Sequence, residues 1–217
     1  MVQQLLLQSK PQLLGHLYPE IISELSVISG TMLYANQTTQ LVHPNQLINA
    51  RWGLIPSTAR NDYQSINRLS AEASSIGHSS SFRLPIRKRR AILPIQAYYF
   101  THQKNGVHWV NKVCLKNGAS WNVPVVYEYW SDNHQRSVVS FALIHHTIKL
   151  DKRSIKLPLH FNDEDQLSGW FDQQFTAKEL MKSLPDPQDF IWTTDQSEKT
   201  ITQEPTHFSI PNKRDNA

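Results

Sequence analysis

Four segments of strand length follow one another closely in the middle of the chain: Ala91–Phe100, Val107–Leu115, Ser120–Trp130 and Val138–His146. They are rich in Val, Ile, Tyr, Trp and Phe, the residues that pack well on a pleated surface. Asn105-Gly106 and Asn117-Gly118 stand at the first two junctions. Asn-Gly tolerates positive φ at both turn positions, so it is a strong short-range hairpin signal. The pattern predicts four antiparallel strands in a meander. His145 and His146 are neighbours on the last of these, so alternation points them to opposite faces and argues against a local metal pair.

Helical signals are confined to the flanks. Leu13, Leu14, Leu17, Ile21, Ile22 and Leu25 recur at helical spacing, with a break at Pro19. Asn162-Asp163-Glu164 precedes Leu167, Trp170 and Phe171 with capping chemistry, and Thr176 with Glu179 forms a capping-box pair for a second helix ending near Leu184. Val27–Val42 reads as strand and turn pieces, His43-Pro44-Asn45 as a surface loop, Leu47–Leu54 as a strand and Phe190–Thr194 as a short returning strand. The expected fold is α+β, a mostly antiparallel β-sheet with peripheral helices. It forms a single domain over residues 1–211, with 212–217 as a frayed tail.

A basic stretch feeds into the first of the four strands. Arg51-Trp52-Gly53-Leu54-Ile55-Pro56 makes an aromatic, glycine and proline corner, and five of the eight residues from Arg83 to Arg90 are cationic. Leu84 and Ile86 lie between those cations, a pattern that anchors one face on a core and offers the other to anions. The serine-rich segment from Ser57 to Ser81 between them is either a flexible linker or a long loop over a sheet. The formal charge of +4, with 10 His besides, favours polyanions weakly. One cysteine, Cys114, leaves no internal disulfide or cysteine-based zinc site. With neither a bilayer-length apolar run nor a signal-peptide pattern, the expectation is a cytoplasmic protein without a membrane partner.

These residues carry a resemblance. Arg51-Trp52-Gly53-Leu54-Ile55-Pro56-Ser57 resembles the RWGLIPSW motif of the SOS-response-associated peptidase (SRAP) family. Phe82-Arg83 and Arg87-Lys88-Arg89-Arg90, followed by Leu93-Pro94, match its FRxxxxxRRCLVP run without a gap. Looser agreement follows at Tyr127-Glu128-Tyr129-Trp130 against LWERW, at Lys156-Leu157-Pro158-Leu159 against RMPV, and at Gly169-Trp170-Phe171-Asp172. The resemblance covers about residues 47 to 190. It implies a β-rich fold with a positive groove, binding of single-stranded DNA, and a covalent crosslink to abasic sites.

The positions that would carry that chemistry differ. The family's nucleophile is a cysteine directly after the initiator methionine, and here Val2 stands there. The asparagine, DNA-holding arginine and glutamate of its INARAE segment fall on Ser70, Glu72 and Ser74. The glutamate of GFYEW falls on Phe100, the histidine of IHDRMP on Ser154, and the last tryptophan of RWGLIPSW on Thr58. An apolar ring cannot assist proton transfer, and without a thiol no stable ring closes on an aldehyde. His160 lies six residues beyond Ser154, roughly 20 Å along an extended strand, too far to stand in.

The expectation is therefore a non-catalytic, monomeric homologue with no catalytic residue, metal or cofactor that still binds single-stranded DNA. The candidate nucleic-acid-binding residues are Arg51, Trp52, Arg83, Arg87, Lys88, Arg89, Arg90 and Lys156, with Lys152 and Arg153 near the last. Trp52, Tyr98, Tyr99 and Trp130 are candidate stacking surfaces, and the first three, in strand-like segments, read equally well as core. A fold-retaining interaction protein with a protein partner is the alternative, followed by Schiff-base chemistry through the Val2 amine.

Overall fold

The computed structural model describes residues 3–63, 68–104, 107–132, 136–150, 153–172, 176–184 and 186–196. Val2, Lys152 and the tail lie outside them. Five strands close into a ring. They are β3 (Thr38–His43), β4 (Gln46–Trp52), β6 (Arg90–Lys104), β8 (Trp121–Ser131) and β9 (Ser137–Leu150). Hairpin partners β3 and β4 are antiparallel, β4 runs parallel to β9, β9 pairs with β8, β8 with β6, and β6 returns to β3 through Val42 and Ile92. The mostly antiparallel sheet of the sequence reading is thus a closed barrel. Closure removes edges that would otherwise expose unpaired backbone.

The central strands alternate between two cores. Leu41, Trp52, Leu93, Val125, Phe141 and Leu143 come from all five ring strands and fill its interior. Val42, Ile92, Val126, Ala142 and Ile144 are the intervening residues, and they pack outward against helices. Both faces of these strands are buried, so they read as continuous apolar runs. The helices are α1 (Gln12–Leu17), α2 (Pro19–Ser23), α3 (Pro85–Lys88), α4 (Glu164–Phe171) and α5 (Ala177–Lys182). Pro19 starts α2 as its first residue, where its missing N–H is harmless. Asp163 caps α4 by accepting from the Gln166 N–H at 2.7 Å, and the Thr176 and Glu179 capping box opens α5.

The meander expectation is corrected at one junction. Strand β7 (Val107–Leu115) is antiparallel to the far half of β6, with pairing as far as Lys104 opposite Val107, around Asn105-Gly106, which lies outside the described residues. Gly118 adopts φ 68° in the second Asn-Gly turn. Yet β8 does not pair with β7; it takes the first half of β6, from Arg90 to Ile95. Strand β6 is 15 residues long and seats both in tandem on one edge. Its other edge pairs with β1 (Gln3–Leu7), which also holds β2 (Met32–Tyr34), and the free side of β7 takes β11 (Phe190–Gln196).

In its described residues the serine-rich segment is a structured loop and not a linker. It contributes β5 (Ser70–Glu72), parallel to β9, and a 3-10 turn at Ile76–His78, with Ala71, Ala73 and Ile76 buried. Strand β10 (Arg153–Pro158) pairs with the end of β9. His43 ends β3 and is half-buried, its ring 5.4 Å from that of Phe171, so the surface-loop reading fails there. No described helix is long and apolar enough to cross a membrane.

Candidate nucleic-acid interface

Helix α3 sorts the basic run by direction. Phe82 and Ile86 turn into the outer core, and the Ile86 N–H donates to the Phe82 carbonyl at 2.8 Å. Arg83, Arg87 and Lys88 are left exposed, with Arg83 and Arg87 one turn apart. Leu84, expected as an anchor, is exposed as well.

The last two arginines of the run behave differently. Arg89 forms an ion pair with the buried carboxylate of Glu128, and its guanidinium lies 5.3 Å from the centre of the Tyr129 ring. Arg90 is buried. Its Nε donates to the Ile86 carbonyl at 2.5 Å, its Nη1 donates to the carbonyls of Trp170 and Asp172 at 2.9 and 2.7 Å, and its guanidinium covers the Trp170 ring. Burial lowers its pKa, opposed by Asp172 and Glu179. Arg90 therefore closes the C-terminal end of α4, where a cation meets free carbonyls, and does not face a ligand.

Trp52 is likewise removed from the candidate interface. It is fully buried in the ring, with its indole N–H donating to the Leu69 carbonyl at 2.9 Å. Gly53 follows at φ 121°, a conformation side chains rarely adopt, which explains the glycine in that corner. Tyr98 and Trp130 are core residues too, and the Trp130 indole donates to the Ala59 carbonyl. Tyr99 is half-buried. Arg51 sits on β4 with Nη1 3.3 Å from a carboxylate oxygen of Asp62, which offsets its charge. Lys156 is exposed on β10, opposite Thr147. The exposed candidates are thus Arg83, Arg87, Lys88 and Lys156.

Of the residues on which the sequence reading puts the family's chemical positions, Phe100 is buried and stacks on Tyr98 at 5.8 Å, with Trp192 edge-on at 6.5 Å. Ser154 is exposed opposite Lys149. Glu72 ends β5, level with His145. Its two oxygens lie 3.3 Å from His145 Nε2 and 3.3 Å from His146 Nδ1, and the Thr147 hydroxyl donates to it at 2.6 Å. The histidines do meet one partner, because a carboxylate at the end of the neighbouring strand reaches both.

The His145 Nδ1 is buried without a hydrogen-bond partner among the described residues. Burial pushes the His145 pKa down to about 4, against the opposing pull of Glu72, so the ring is neutral. His160 is held at about 4 by burial as well, and its Nδ1 accepts the Asn122 N–H at 3.2 Å. Among the described residues no three His, Cys, Asp or Glu are arranged to hold a metal ion.

Sequence reasoning missed Tyr129, the exposed ring beside Arg89, and the grouping around Glu72. Local pattern does not mark Tyr129 as exposed, since alternation puts it on the same face as the core residue Tyr127.

Over 150 residues the chain is 25% identical to the abasic site processing protein YobE of Bacillus subtilis, covering 67% of each chain. It is 24% identical over 150 residues to YoqW of Bacillus phage SPbeta, covering 67% of this chain and 66% of that one. A Bacteroides thetaiotaomicron protein of known structure superposes with TM-score 0.71 at 17% identity over 89% of this chain and 91% of its own. One from Bordetella bronchiseptica does so with TM-score 0.69 at 12% identity, over 89% and 99%. The model of the SOS response associated peptidase (SRAP) family matches residues 23–199, and the chain belongs to that family.

Proposed function

We propose that this chain is a non-catalytic SRAP protein that binds single-stranded DNA and is related to abasic-site processing in the DNA damage response. The observation that carries the reading is a solvated basic face, Arg83, Arg87 and Lys88 on a core-anchored turn, in a family whose curated relatives are abasic site processing proteins. Three cations without a described carboxylate partner favour phosphate contacts whose strength falls steeply with salt. The absence of catalysis is supported by Phe100 in a packed aromatic cluster and by Glu72, which places a carboxylate where the family's arginine would meet phosphate.

The test is fluorescence anisotropy of a labelled 15-nucleotide strand, with and without one abasic site, at low and physiological salt. The expected result is salt-sensitive binding indifferent to the lesion, with no adduct surviving a denaturing gel. Arg87→Glu with Lys88→Glu should abolish tight binding and lower the salt slope by about 0.7 for each phosphate that is no longer neutralised. A covalent adduct at the abasic site overturns the non-catalytic part. Absence of binding at low salt overturns DNA binding and turns the search to protein partners.

A further inference from the structure

We infer that the Tyr129 ring is a base-stacking subsite that receives one unpaired nucleobase of the strand whose phosphates lie along α3; the inference rests on the DNA-binding reading above. Tyr129 is 50% exposed although it stands two residues from Tyr127 in the core. Among the described residues the guanidinium-on-ring pairs are Arg89 with Tyr129 and Arg90 with Trp170, and Trp170 is buried. Tyr129 is therefore the one accessible ring held in this way.

Three contacts hold that ring. The Arg89 guanidinium lies 5.3 Å from its centre and is itself fixed by the buried Glu128 carboxylate. Tyr127 meets it edge-on at 5.7 Å. Burial, followed by the nearby Tyr129 phenol and the hydrogen bond between the two phenols, pushes the Tyr127 pKa up to about 12. A ring already immobilised gives up little conformational entropy when a base settles on it.

The position relative to the cations follows from the backbone. Arg89 directly succeeds Lys88, and its carbonyl accepts the Tyr127 N–H at 2.9 Å, so the end of α3 and this part of β8 are joined side by side. Because Glu128 neutralises Arg89, the pair adds little net charge; its part is to orient the ring. A platform of this kind accepts any base, because every base has a π-face.

The experiment uses the full chain and a 15-nucleotide thymidine strand carrying one 2-aminopurine, whose fluorescence is quenched on stacking. The expected result is quenching on binding by the unaltered protein. Tyr129→Ala should remove the quenching and weaken binding by about 5- to 100-fold with the salt slope unchanged, and Tyr129→Trp should restore both. Tyr34→Ala, an exposed ring on β2, should leave binding as it was. Full affinity and quenching in Tyr129→Ala overturn the subsite. If Arg87→Glu with Lys88→Glu abolishes binding in the same series, the failure belongs to the subsite alone. If the unaltered protein does not bind, the DNA-binding reading and the subsite fall together.

Discussion

Three positions separate Arg87 from Arg90, and their surroundings give them opposite roles. Arg87 leaves α3 into solvent, whereas Arg90 opens β6 and turns inward to three carbonyls at the C-terminal ends of two helices. Arg90→Ala would leave the Trp170 and Asp172 carbonyls without that donor and open space beside the Trp170 ring. It should destabilise the fold by about 2–4 kcal/mol in urea denaturation. Arg87→Ala should change stability by no more than about 0.5 kcal/mol. An unaltered denaturation midpoint in Arg90→Ala would show that its hydrogen bonds contribute nothing net. The cationic character of both residues is legible in the chain. Which of them is structural is not, because two of the three partner carbonyls stand about 80 residues away at the end of α4.

At the scale of elements, β5 shows how a three-residue strand depends on one side chain. Backbone pairing ties Ser70, Ala71 and Glu72 to Leu143, Ile144 and His145, and the Glu72 carboxylate then gathers both histidines and Thr147. Glu72→Ala would leave the buried His145 ring without its partner at Nε2, while its Nδ1 already has none among the described residues. The expected destabilisation is about 1–3 kcal/mol, with faster amide hydrogen exchange across β5 and the facing part of β9. Unchanged exchange there would mean that the ladder alone holds the strand. Capping residues foretold α4 and α5 because those interactions are local. A parallel strand inside a polar, serine-rich segment gives no such signal, since its partner lies about 70 residues onward.

The whole molecule carries buried neutral imidazoles, and that has a consequence for pH. His145 and His160 are held at about 4, against roughly 6.5 in an unfolded chain. Between those values the unfolded state binds more protons. Stability is therefore complete above about pH 6.5, falls as pH drops toward 4, and does not fall further through these groups below that. The unfolding free energy from urea titrations should decline between pH 7 and 4.5 by roughly 5 kcal/mol, and a flat profile would contradict neutral burial of both rings. The chain by itself determined the strand-rich middle, the capped helices and the family resemblance, all of which depend on residue type and near neighbours. Tertiary structure alone decided that the strands close into a barrel, that β8 leaves β7 for β6, and that Trp52 and Arg90 belong to the interior while Tyr129 does not. Burial and barrel closure come from contacts between segments far apart in the chain, and local pattern does not encode them.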